Sequence, residues 1–374
     1  MKKIICVFAI SLGLSNLMAQ KSYVLFGSYN WDTKTEGIYI FKQNIKSGKL
    51  TKVSGVKSIL NPSFLTFSNN GDYVYACTES KIADSGSVSS FKFDPIKGQL
   101  KFVNTQKTGA ENPVYLSSSK DGKWLVNANY GDSSFAVFPI AKDGSLEANV
   151  QNIHYSEGSI DPDRQTTSHL HSAVFSPDGK QVFFPDLGAD KIRIFDFKSD
   201  LAQPLQPSKQ EFMASKPGNG PRHLTFHPNG KFAYCINELS GTLDVFSYEN
   251  STLKSIQSIN SHEEKNKDTF ESSDVHLSPD GKFLYATNRG RENNIGIFSV
   301  NTDGTLKKVG FQSTFGKHPR TFTLTQNGDF LIVPNVQSNN ITVFKRNAET
   351  GLLTKIQIIK NIAHPTHVIQ RMYN

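Results

Sequence analysis

Apolar and polar residues alternate in short runs along the whole chain. No segment sustains a 3.6-residue period, so the pattern predicts strands and almost no helix. One alternating run ending in phenylalanine recurs seven times, closing at Phe41, Phe91, Phe138, Phe195, Phe246, Phe298 and Phe344. Successive copies lie 46 to 57 residues apart. A second motif is a tight turn that starts a strand: Ser68-Asn-Asn-Gly71, Ser119-Lys-Asp-Gly122, Ser176-Pro-Asp-Gly179, His227-Pro-Asn-Gly230, Ser278-Pro-Asp-Gly281 and Thr325-Gln-Asn-Gly328. Proline presets φ for such a turn, Asp or Asn caps it, and glycine accepts the positive φ.

The turn motif occurs six times and the phenylalanine motif seven, a mismatch that ring closure explains. Pro365 to Gln370 has the pattern of a first strand, and Tyr23 to Ser28 that of a second. Together they complete one unit from two distant segments and hide an edge strand that an open sheet would expose. Four short strands per unit at this period predict an all-β, seven-bladed β-propeller with four-stranded blades. A pair of β-sandwiches would not need seven equal units or a divided one. The stretch from His154 to Ser168 lengthens one unit, and extra loop on a rigid scaffold is often part of a site.

The chain has 374 residues, of which 37% are hydrophobic and 20% charged, enough apolar material for a large core. Its first segment stands apart. Lys2 and Lys3 precede an apolar run from Ile4 to Leu14, followed by a small-residue cleavage position at Ala19-Gln20. The run is too short to span a bilayer and reads as a secretory signal over 1–19. The expected mature chain, 20–374, is one exported propeller domain, periplasmic or secreted, with no membrane anchor. Only Cys77 and Cys235 would remain, placed in separate strand-like runs as core thiols rather than a disulfide. The net charge of +8 is dispersed, without the basic clusters and interleaved aromatics of a nucleic-acid surface.

Superposing the repeats locates candidate chemistry. Eight residues before each turn glycine stand Ser63, Val114, His171, Arg222, Ser273 and Arg320. Eight residues after it stand Glu79, Tyr130, Leu187, Glu238, Arg289 and Val336. In a propeller the first slot begins the channel-lining strand and the second ends its antiparallel neighbour, so both reach one mouth of the channel. His171, Arg222, Glu238 and Arg289 form the candidate catalytic group. His169, Arg320, Asn237, Asn288, Arg164 and Tyr130 are candidate substrate contacts. Each has a structural reading: the arginines as partners of carboxylates, the asparagines as strand-end caps, and the His169/His171 pair as packing or as part of a metal site that no local Cys or carboxylate completes. His154, His227 and His276 read as structural.

Ester or lactone opening needs a base to activate water, donors for the developing oxyanion and an acid for the leaving alkoxide. Glu238 or His171 could serve as base, with His171 preferred because cations around Glu238 weaken its basicity. Arg222 and Arg289 suit an oxyanion or a carboxylate. No Gly-x-Ser-x-Gly elbow or dinucleotide fingerprint is present.

His169-Leu-His171-Ser, Pro185-Asp-Leu-Gly188, Gly220-Pro-Arg-His-Leu224, Asn237-Glu-Leu239, Leu284-Tyr-Ala-Thr-Asn-Arg289 and His318-Pro-Arg320 resemble the lactonase family of seven-bladed propellers. Asn127-Ala-Asn-Tyr130 and Asp163-Arg-Gln165 add to the likeness, which runs from about Tyr23 onward. That family includes a bacterial 6-phosphogluconolactonase and the fungal cis,cis-muconate lactonizing enzymes. The resemblance implies hydrolysis of a sugar-type lactone without cofactor or metal, by a monomer acting on a small, anionic substrate. In the muconate branch a His, two Arg and a Glu act in catalysis, at motifs matched here by His171, Arg222, Glu238 and Arg289. A cycloisomerase and a non-catalytic binding propeller are the alternatives. The leader separates this chain from the cytoplasmic pentose phosphate route, which leaves the phosphorylation of its lactone open.

Overall fold

The structure, a computed structural model, describes residues 20–80, 82, 84–263 and 270–374; the expected signal segment lies outside them. Seven four-stranded antiparallel sheets follow one another around a ring, and no helix occurs among the described residues. The closing blade pairs Pro365–Tyr373 with Lys21–Ser28, followed by Ile38–Gln43 and Leu50–Val56. This is the composite unit anticipated from the missing turn.

Within a blade, burial falls from the inside outward. Second strands such as Trp124–Asn129 and Phe330–Asn335 are buried at every residue. Outer strands such as Leu50–Val56 are mostly exposed. The second and third strands are covered by neighbouring blades on both faces and therefore read as nearly continuous apolar runs. The cores lie between blades: Val24, Phe26 and Phe41 of the closing blade pack against Ile332, Ile341 and Val343 of its neighbour. Cys77 and Cys235 are free, buried thiols.

Both sequence motifs have local causes. In each turn the glycine N–H donates to the carbonyl three residues earlier, as from Gly179 to Ser176 at 2.9 Å, and all six glycines hold positive φ. In five of its seven copies the phenylalanine motif marks a β-bulge. Register shifts fall directly before Phe41, Phe91, Phe246, Phe298 and Phe344, where the third strand meets the outer one. A bulge bends and twists the strand locally, which helps each outer strand wrap the rim.

Candidate active site at one mouth of the channel

The two slots named above become one ring. Residues directly after the second strands are Tyr29, Glu79, Tyr130, Leu187, Glu238, Arg289 and Val336, and the closing blade supplies the first of them. Five of these, Tyr29, Glu79, Tyr130, Glu238 and Arg289, line a cavity of about 580 Å³. Val114, His171 and Arg320, from the starts of the innermost strands, line it as well. Ladder bonds set these positions: Glu238 N–H donates to Gly220 O at 2.7 Å and His171 N–H to Pro185 O at 2.9 Å.

Glu238 is the centre of charge. Its Oε2 accepts from Arg222 Nε and pairs with Arg289 Nη2, each at 2.8 Å. Its Oε1 accepts from Arg164 Nη2 at 2.6 Å. Burial alone would raise the carboxyl, but Arg289, Arg222 and Arg164 together hold it well below the usual carboxylate range. Arg164 comes from the long irregular stretch, where Asp161 Oδ1 accepts from the Asp163 and Arg164 N–H groups at 2.9 and 3.0 Å. The same stretch is laid close against the end of a second strand: a Cβ on Gly188 would stand 1.8 Å from the Thr167 carbonyl oxygen. Only glycine permits that approach.

His171 is 5% exposed, and its Nδ1 has no hydrogen-bond partner among the described residues. Burial, then Arg222, His223 and Arg320, push the imidazole well below its usual value, so it is neutral at physiological pH. A second ion cluster faces the same cavity. Tyr29 Oη donates to the Glu79 carboxylate, 2.9 Å from either oxygen, and Arg320 Nη2 stands 3.6 Å from Glu79 Oε2.

The expected residues thus separate into four groups. His171, Glu238, Arg289, Arg164, Arg320 and Tyr130 share the cavity. Arg222, expected to receive an oxyanion, is fully buried beneath Glu238 and does not line it. The buried position costs solvation, which Glu238, the Ser273 carbonyl and His223 Nε2 offset. Asn237 and Asn288, expected to touch substrate, are turned to strand-end partners: Asn237 Nδ2 donates to Asp244 Oδ2 at 2.8 Å, Asn288 Nδ2 to Ser261 O at 2.8 Å. His169 is held aside, its ring stacked on Tyr130 at 4.4 Å and its Nδ1 2.8 Å from Tyr130 O. Among the described residues no three His, Cys, Asp or Glu side chains are grouped to hold a metal ion. Tyr29 and Glu79 were not singled out in the sequence. Glu79 occupies the same slot as Glu238, so the repeat register carried the signal.

Comparison with known proteins adds an independent line. Residues 23–370 match the family described as Lactonase, 7-bladed beta-propeller. A Formosa agariphila protein named 6-phosphogluconolactonase is 41% identical over 332 residues, 88% of this chain and 94% of its own. A crystal structure from Bacteroides fragilis superposes with a TM-score of 0.89 at 40% identity, covering 94% of this chain and 98% of that one. The periplasmic gluconolactonase of Pseudomonas aeruginosa superposes with a TM-score of 0.87 at 33% identity, covering 94% and 99%. Ring, cavity and family match agree over nearly all of the described chain, which belongs to the lactonase, 7-bladed beta-propeller family.

Proposed function

We propose that this protein hydrolyses a sugar-type lactone bearing an anionic substituent, at the Glu238–His171 mouth of the channel. The observation that carries the reading is a division of labour. Both Glu238 oxygens are occupied by three guanidinium groups, whereas the His171 imidazole lines the cavity and its buried Nδ1 has no hydrogen-bond partner among the described residues. The names of the Formosa and Pseudomonas relatives, a 6-phosphogluconolactonase and a periplasmic gluconolactonase, support the substrate class.

In this reading His171 takes a proton from water as the water oxygen attacks the acyl carbon. The carbonyl π pair moves onto its oxygen, whose charge Arg289 receives. The carbonyl re-forms, the ring C–O bond breaks, and the imidazolium returns its proton to the departing alkoxide. The product is the open hydroxy acid. Glu238 and Arg222 act as positioning residues that space the cations. Arg164 and Arg320 hold the anionic substituent. The lining holds three arginines against two glutamates, with Arg222 behind them, and this surplus favours an anion. Residues 1–19 direct export, in keeping with the periplasmic relative; no helix among the described residues is long and apolar enough to cross a membrane.

The test is turnover of a panel of aldonolactones by wild type and His171→Ala. The variant is expected to keep its melting temperature and lose about 10²- to 10⁴-fold in kcat. Because burial and cations lower the imidazole, the basic form persists as pH falls through 6.5, and the acid limb of kcat/KM should lie below that value. Equal kcat in the two proteins would remove His171 from the chemistry.

A further inference from the structure

The cavity has a flank that the hydrolytic reading leaves unused. Trp31, a residue 67% exposed, lines it with its indole stacked on the Tyr29 ring at 5.2 Å and 22°. Leu60, Ile82 and Val114 line the cavity too, an apolar complement to the arginines. An exposed indole on a mobile tip would mean little, but this one is fixed. Trp31 holds φ at +56°, a region that bulky residues rarely enter and that persists only where the surroundings impose it. Its backbone N–H donates to Asn61 Oδ1 at 3.0 Å, and the Asn61 backbone N–H donates to Asn30 Oδ1 at 2.7 Å. Asp32 Oδ1 pins the following turn through the Lys34 and Thr35 N–H groups. Below the indole, Tyr29 is bonded to Glu79, which pairs with Arg320. Backbone strain is therefore held in place to present an aromatic face beside the cationic floor.

We infer that Trp31, braced by Tyr29, is a specificity-determining platform on which the C–H face of a polyhydroxylated lactone ring stacks while the cavity's arginines hold its anionic or carbonyl oxygens. The inference rests on the lactonase reading for its reaction, but the platform binds the ring whether or not it is opened. A sugar lactone has what both surfaces need: one face of C–H groups for the indole and a rim of oxygens for the guanidiniums. A small aliphatic lactone lacks the second and fills little of a 580 Å³ cavity.

The fluorophore makes a direct test available. The chain has two tryptophans. The other, Trp124, is 8% exposed and donates its indole N–H to Ser199 O at 3.0 Å, outside the cavity lining. Titrating wild type with gluconate, the open product, should change emission saturably, and Trp31→Phe should abolish that change. In kinetics, Trp31→Ala is expected to raise KM for glucono-δ-lactone about 5- to 10-fold, with kcat altered by less than about 3-fold. Trp31→Phe, which retains a stacking face, should recover most of the KM. For γ-butyrolactone the KM ratio of Ala variant to wild type should stay near one. Equal KM ratios on the two lactones, or an emission change that survives in Trp31→Phe, would overturn the platform. If wild type turns over no lactone but gluconate still perturbs Trp31, the hydrolytic reading falls and the platform stands.

Discussion

Two buried carboxylates sit in the channel, and they are held in opposite ways. Glu238, at the open mouth, is surrounded by Arg164, Arg222 and Arg289. Asp274 lies deeper, beside a second cavity of about 220 Å³ lined also by His223, His276 and His367. Its Oδ1 accepts from His223 Nδ1 at 2.7 Å and its Oδ2 from His276 Nε2 at 3.0 Å. The Val275 and Phe322 N–H groups donate to it at 3.0 Å each. Guanidinium never deprotonates in the working range, whereas imidazole titrates within it. One cluster therefore has permanent charge and the other a charge that pH can change.

The clusters are joined. Arg222 Nη1 lies 3.2 Å from His223 Nε2. A guanidinium only donates, so His223 Nε2 accepts and its proton sits on Nδ1, facing Asp274. Burial and then Arg222 bring His223 down to about 4. For His276 burial also lowers the imidazole, but the Asp274 carboxylate outweighs it and the imidazole is raised.

The harshest way to break this contrast is Glu238→Leu. It strands a fully buried Arg222 and is expected to cost about 3–5 kcal/mol of stability along with all lactone turnover. Denaturant melts measure the first, and the paired change Glu238→Leu with Arg222→Met should recover much of it. A single variant as stable as wild type would mean the arginines do not depend on Glu238.

Asp274→Asn should cost less, about 1–3 kcal/mol, because one of the two backbone donors, Val275 or Phe322 N–H, keeps an oxygen acceptor and His276 can lose a proton where arginine cannot. A loss equal to that of Glu238→Leu would erase the distinction between fixed and titratable partners.

The smallest effect is in pH. His223 is lowered from 6.5 to about 4, so below pH 6.5 the unfolded chain takes up a proton that the folded one refuses. Stability supplied by this group falls between pH 6.5 and about 4. His276, raised, contributes stability that is complete below 6.5 and is lost as pH climbs through its folded value. Thermal melts of His223→Gln across pH 4 to 7 should show a shallower acid-side decline than wild type. An unchanged slope would show that the deeper cluster does not set acid sensitivity.

The ring and its closure were legible because they rest on local chemistry that repeats: a glycine at positive φ in each turn and a bulge directly before five of the seven phenylalanines. The mouth was legible because radial symmetry converts one register position into one place, which gathered His171, Glu238, Arg289 and Arg320. What register cannot supply is side-chain direction. Arg222 shares its slot with His171 yet points beneath the floor, and Asn237 and Asn288 turn to their own strand ends. His223 and Asp274 stand one residue past the slot of Arg222 and Ser273, a position not compared across repeats. Trp31 lies in a loop peculiar to the closing blade, so no other repeat foretold its exposure.

The closing blade also governs when the protein can work. Gln370 Nε2 donates to Ser22 Oγ across 348 positions of sequence. On a ribosome making the chain in order, Tyr29, the closing blade's member of the mouth, waits for a partner strand synthesised after every other blade. Such non-local pairing folds slowly. Catalytic competence thus arrives as a single late event, and a nascent chain still lacking its last strand would carry no finished pocket.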